Sequence, residues 1–389
     1  MDPYRLLFPA GWLFGISGAA VWILFSVHII SNYPGIQHPD LMIGGFLFCF
    51  AAGFLMTAIP RFTGSPTASS IELMVAVLII VGMVLSLIAQ RLVLFHAWVA
   101  AGLLLLAIFG FRRFRARSHN PPPSFVFVGV GILMGIAGLS LVLMGDFSLT
   151  TPNCVLLGRE LYYQGLMLSL ILGVGTRLIP ALLGHQDMPL AQIAQSSSRV
   201  SSKRAGLDSE FIKQVAAALL LVLSFVVEVW ISVLLGRGLR AAVVSLISIS
   251  KWKMGTYPKE RSRLAFWLWI SCWMLNLGLW GYALIPSYAI HLLHLTFIGG
   301  FGLMTLMIAT RVTLAHGGHD MGLEDRSKAL TWTGILIVLA AFTRAAAPLI
   351  PAAYFSHLAY AASAWILGLL VWGLVFLGRM FRVISSEHQ

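Results

Sequence analysis

Six of the eleven histidines lie at or near the ends of long apolar segments, where an imidazole is costly to place against lipid. They are His28, His38, His96, His291, His294 and His357. Ionisable side chains inside membrane spans usually mark a pathway or a cofactor. Neutral imidazole is also the commonest metal ligand in proteins and a frequent axial ligand of haem iron. The pattern therefore indicates metal or haem chemistry at one membrane surface.

His291 and His294 are the most informative of these residues because they are three positions apart in one apolar segment. In an α-helix this spacing corresponds to roughly 60° of rotation and about one turn of rise, so both rings project from one face. We expect at least one of the two to ligate a metal. A lone histidine at a helix end is more often an interfacial hydrogen-bonding group, and that alternative stays open for the others.

The composition is that of an integral membrane protein. Of 389 residues, 59% are hydrophobic and 10% are charged, with a mean hydropathy of +0.88. A soluble domain carries roughly 25% charged residues. The net charge of +12 does not indicate nucleic-acid binding, because the basic residues stand in short loops beside apolar segments. The three cysteines form neither a CxxC nor a CxxCH motif, so we expect neither a disulfide framework nor covalently attached haem.

Twelve apolar segments are long enough to cross a bilayer, which takes about 20 residues in a helix. Their length excludes barrel strands of about ten residues, so the predicted fold is an all-α polytopic membrane protein. The predicted spans are 9–30, 41–60, 71–89, 92–111, 124–144, 160–181, 211–234, 237–250, 263–285, 288–310, 329–350 and 354–378.

The loop charges predict the orientation of these spans. With twelve spans, all but five of the 26 basic residues fall on the side of both termini, and all six lysines are among them. The positive-inside rule then places both termini in the cytoplasm and the six histidines near the outer surface. The five outer cations are all arginine, which binds carboxylates bidentately and suits haem propionates; snorkelling is the open alternative. They are Arg91, Arg159, Arg237, Arg240 and Arg344.

We interpret residues 1–389 as a single membrane domain, divided by the polar, Ser-rich stretch 185–210 into six spans (1–184) and six spans (211–389). A weak Gly-rich repeat recurs at 53–61, 173–180 and 302–311; close helix packing and internal duplication both explain it. Glu228 is the one acid well inside a span. It either pairs with Arg237 or Arg240 on the next helix or serves a function of its own.

Three segments carry a resemblance to a known family. They are QHPDLMIGGF (37–46) with GFLMTAIPRFTG (53–64), GVGTRLIP (173–180), and HLTFIGG (294–300) followed by MT (304–305) and TRVTLAHGG (310–318). In this order they resemble segments of the NnrS family, bacterial haem- and copper-containing membrane proteins of the nitric-oxide response. Asp40 and Leu41 stand where the family has a second histidine and a glutamate, so the implied copper ligands are incomplete here.

The resemblance implies a b-type haem near the outer surface, with His38 and His294 as the first-choice axial ligands and His291 as their substitute. Helices 2 and 10 would run in the same direction and begin at the same surface, so these ligands can reach one depth. The remaining predicted cofactor-binding residues are His96 and His357 in support, and Arg91, Arg159 and Arg344 for the propionates.

The resemblance further implies a bacterial inner-membrane protein that binds nitric oxide or a related metal–nitrosyl species, or carries out redox chemistry on it. The topology also resembles that of haem–copper oxidase subunit I, a fold-level analogy. Helices 6 and 7 carry no histidine in the outer half, so we expect no oxygen reduction. The alternative function is a secondary transporter or permease with an outer His/Arg substrate site, since six-plus-six organisation is common in transporters.

We predict that reporters fused after Gln389 and within residues 185–210 both give a cytoplasmic signal, because the loop charges alternate regularly over twelve spans. A periplasmic signal at either fusion would contradict the assigned orientation.

Overall fold

Twelve long helices form the described part of the fold because a chain inside a bilayer has to satisfy its backbone hydrogen bonds within each segment. In the computed structural model they are α1 Tyr4–Ser26, α2 Gln37–Thr63, α3 Ser70–Ile88, α4 Leu92–Arg115, α5 Pro123–Asp146, α6 Pro152–Leu182, α7 Ser209–Trp230, α8 Val233–Ser250, α9 Arg263–Leu284, α10 Pro286–Gly317, α11 Lys328–Leu349 and α12 Pro351–Met380. All are apolar and long enough to cross a membrane.

The structure describes residues 2–185 and 209–382, and within them there is no strand. The predicted number of spans and the all-helical class are confirmed. The largest differences in length are in α6 and α10, which begin or end several residues beyond their predicted bounds. Almost all of the predicted linker 185–210 lies outside the described residues, so the division into six-helix halves stays a prediction.

The described chain packs as two compact units. The first unit consists of residues 3–54 and 256–382, and the second consists of residues 55–185 and 209–255. In the first unit α1 packs along α12: the Trp365 indole donates to the Gly15 carbonyl at 3.0 Å, and the Trp12 indole donates to the Leu369 carbonyl at 2.7 Å. Arg5 donates to the Met380 carbonyl at 2.6 Å, a favourable place for a cation at the end of α12.

Every fourth helix contains a π-helical segment. The three segments are Asp40–Leu47 in α2, Leu161–Gly165 in α6 and Leu295–Gly302 in α10. A π turn takes in one additional residue, and such turns are frequent at functional sites. Because they recur at a spacing of four helices, the structure extends the weak repeat of the sequence to three sets of four helices.

Small residues let these π segments approach the preceding helix. A methyl group at Gly45 would come within 2.6 Å of the Phe14 ring of α1. At Gly300 it would come within 2.9 Å of the Leu275 backbone of α9. Side chains at either position would therefore push the helices apart, which explains the glycines at positions 45 and 300.

A buried group of charges holds α6, α7 and α8 together in the second unit. Arg240 is fully buried and donates to Glu228 and, at 2.7 Å, to the Gln164 amide oxygen. Arg237 donates to Glu228 at 2.7 Å, and Glu160 lies 3.5 Å from the Arg240 guanidinium. The predicted pairing of Glu228 with the arginines of the next helix is confirmed, with both arginines taking part.

We predict that Arg240→Met destabilises the protein by on the order of 3 kcal/mol, because it leaves buried carboxylates without their main partner. Arg237→Met is the matched control: its side chain is partly exposed and its removal leaves the Arg240–Glu228 pair intact, so its thermal midpoint in detergent should fall less. Adding Glu228→Gln to Arg240→Met should restore part of the loss. Equal midpoints for the wild type and Arg240→Met would contradict this assignment.

Candidate functional site

His38, His291, His294 and Arg344 lie close together in the first unit. His38 stands at the start of α2, the two other histidines in the first turns of α10, and Arg344 near the end of α11. Arg344 donates to Nδ1 of His291 at 2.6 Å, and electrostatic interactions link His294 with Arg344, His38 and His291. The four side chains therefore form one cluster from three helices, the His38 cluster.

The rings of His38 and His294 are held in the same tautomer. Nδ1 of His38 lies 2.6 Å from the Gly18 carbonyl oxygen of α1, and Nδ1 of His294 lies 2.6 Å from the Ile290 carbonyl oxygen one turn earlier. A carbonyl only accepts hydrogen bonds, so each Nδ1 carries the proton and donates it. Nε2 is then the unprotonated nitrogen of both rings, which is the form that binds a metal.

Aromatic rings pack around both imidazoles. Trp22 of α1 meets the His38 ring edge-on with 5.8 Å between centroids, and Phe297 meets the His294 ring edge-on at 6.0 Å. Both histidine side chains are only half-buried. The carbonyl bonds and ring contacts fix the direction of each imidazole, so that the two Nε2 atoms are presented by rigid helices rather than by loops.

His291 has a different role from that of His294, although both project from the first turns of α10. An Arg344 amino group donates to Nδ1 of His291 at 2.6 Å. The Tyr354 ring packs edge-on against His291 at 5.9 Å, and its hydroxyl lies beside the Arg344 guanidinium. His291 thus uses the Nδ1 lone pair to orient Arg344, which remains able to bind a carboxylate with its other N–H groups.

The structure does not bring all the sequence-predicted residues into the His38 cluster. His357 belongs to the first unit; its ring packs on Tyr360, and its buried Nδ1 has no hydrogen-bond partner among the described residues. His96 belongs to the second unit and lies 3.6 Å from the carboxylate of Asp146. Arg91 and Arg159 also belong to the second unit and are exposed.

A copper site has no ligand set in residues 2–185 and 209–382, where no group of three or more His, Cys, Asp or Glu side chains is placed to hold a metal ion. Asp40, which stands where the family has a histidine, is buried. The described residues therefore do not fit a metal cage of three or more protein ligands. The His38 cluster instead offers two imidazoles with an unprotonated Nε2, from His38 and His294.

The sequence identified the histidines as candidate ligands, but it did not show which groups orient their rings. A π-helical segment begins directly after His294 and two residues after His38. The available signal was the Gly-Gly pair in each segment, Gly44-Gly45 and Gly299-Gly300, which begins six residues after His38 and five residues after His294. Nothing in the sequence indicated that the Gly18 carbonyl would orient His38 or that the Tyr354 hydroxyl would lie beside Arg344.

Comparison with known proteins agrees with the three resembling segments. No curated protein matches the chain. The family model described as "NnrS protein" matches residues 1–383, essentially the whole chain. The protein with this His38 cluster and twelve apolar helices therefore belongs to the NnrS family.

Proposed function

We propose that the protein binds a b-type haem through His38 and His294. The supporting observation is that both imidazoles are anchored through Nδ1 to a backbone carbonyl and lie in one cluster with Arg344. A hydrogen bond from the other ring nitrogen to a carbonyl is the contact that usually orients a metal-ligating histidine. Because the two residues come from α2 and α10, the haem would join two separate helices of the first unit.

Arg344 is the proposed partner of a haem propionate. Its guanidinium is oriented by His291 at 2.6 Å and lies beside the Tyr354 hydroxyl, so that it is presented in a defined direction. A planar guanidinium binds a carboxylate through two parallel hydrogen bonds. In this proposal His291 is a positioning residue for Arg344. Arg91, Arg159 and His96, described in the other unit, have no assigned contact with the haem.

We further propose that the biological role is the handling or sensing of nitric oxide at the bacterial inner membrane. Membership of the NnrS family supports this role. A bound haem supplies an iron centre that nitric oxide can reach when an axial position is open or exchangeable. This chain's own residues would hold the haem: His38 and His294, anchored at the carbonyls of Gly18 and Ile290, would supply the ligands, and Arg344 would supply a cation for a propionate.

We predict that the protein purified after haem-replete expression has a Soret band, and that His38→Ala combined with His294→Ala abolishes it. Either single variant should leave one axial ligand and change the spin state of the haem. His28→Asn is the matched control, because His28 is exposed and adopts a left-handed φ of 60° that asparagine tolerates. Full haem content in the double variant would refute the assigned ligands.

We predict that nitric oxide changes the absorption spectrum of the reduced, haem-loaded protein, and that His28→Asn leaves this change intact. A strain lacking the gene should grow less well under nitric oxide, and the His38→Ala, His294→Ala variant should not rescue it. Rescue by the double variant, or normal growth of the deletion strain, would count against the proposed role even where haem binding is confirmed.

A further inference from the structure

A cavity of about 640 Å³ lies at the junction of the α8–α9 loop with α9 and α11, within the first unit. No residue of the His38 cluster lines this cavity. Its lining combines cationic, hydroxyl and aromatic side chains, chiefly Lys259, Arg261, Ser262, Arg263, Trp267 and Thr331.

The charge of this cavity favours an anion. Lys259, Arg261 and Arg263 stand against a single lining carboxylate, that of Glu260. Arg263 is only partly exposed, and one of its amino groups donates to the Thr331 hydroxyl of α11 at 2.8 Å. That bond holds the guanidinium across the cavity wall and leaves its other N–H groups available. Lys259 and Arg261 are exposed and can approach the same anion from the loop.

The position of the cavity points to a lipid. Arg263 is the first residue of α9 and Thr331 lies in the first turn of α11, so the cavity stands where two apolar helices enter the membrane. Aromatic side chains mark this level, as they do at membrane interfaces. Trp267 lines the cavity, and Trp332 next to Thr331 is 57% exposed.

An apolar surface continues from this level along α11. Ile335, Leu339 and Phe342 follow Trp332 at helical spacing and are each about half exposed. An acyl chain can lie along this surface while its headgroup occupies the cationic cavity. A free phosphate would use the charges alone and would gain nothing from the aromatic and aliphatic residues.

We propose that this cavity binds the phosphate headgroup of an anionic phospholipid, with its acyl chains along α11. Juxtamembrane lysines and arginines each strengthen binding to anionic lipid, and basic pockets between helices hold such headgroups. The site is independent of haem binding, since it shares no residue with the His38 cluster.

The test is native mass spectrometry and thermal unfolding of the full-length protein in detergent, with phosphatidylglycerol or phosphatidylcholine added. We expect phosphatidylglycerol to remain bound and to raise the unfolding midpoint more than phosphatidylcholine does. Lys259→Gln with Arg261→Gln should weaken phosphatidylglycerol binding about tenfold or more. Arg115→Gln with Arg117→Gln, which removes the same charge from an exposed position at the end of α4 and a partly exposed position just beyond it, should leave binding unchanged.

Three outcomes would overturn the proposal. The first is equal retention of the two lipids, since it would show that charge is not recognised. The second is an equal loss in the α4 control variant, which would indicate a general surface potential instead of a site. The third is complete displacement of phosphatidylglycerol by millimolar inorganic phosphate, which would identify a site for a soluble anion.

Discussion

The hydrocarbon interior of a membrane offers no water, so every polar group that enters it needs a partner within the protein. This constraint accounts for several hydrogen bonds between the described helices. The indoles of Trp12 and Trp365 donate to carbonyls of neighbouring helices, and Arg240 is surrounded by acceptors from α6 and α7. Apolar side chains contact lipid tails about as favourably as they contact another helix. Interhelical hydrogen bonds and close backbone approach therefore determine which helices pair.

Hydrogen bonds within the protein also orient the histidines of the His38 cluster. The rings of His38 and His294 are half-buried, and each places its Nδ1–H on a backbone carbonyl. The proton is thereby committed to Nδ1, and Nε2 keeps the lone pair that can bind a metal. One hydrogen bond thus fixes both the tautomer and the direction of each ring. His291 differs, because its Nδ1 accepts a hydrogen bond from Arg344.

The π-helical segments are used for two different purposes. In α2 and α10 they follow the histidines of the His38 cluster, whereas in α6 the segment follows Glu160 and contains Gln164, both partners of Arg240. The same backbone feature therefore adjoins imidazoles in the first unit and a group of two arginines and two glutamates in the second. The recurrence at every fourth helix gives this likeness a structural basis, since each π segment packs against the helix that precedes it in the chain.

The sequence by itself determined the properties that depend on local composition. Hydropathy over about 20 residues predicted all twelve helices, and the isolation of Glu228 in an apolar span predicted its pairing with Arg237 and Arg240. Only the tertiary structure decided which carbonyl anchors His38, that Arg344 rests on His291, and how the histidines divide between the units. These partners come from distant parts of the chain. The additional residue of a π turn also rotates all following side chains by roughly 100° about the helix axis. The α-helical period of 3.6 residues therefore does not predict which side chains share a face on the two sides of the turn.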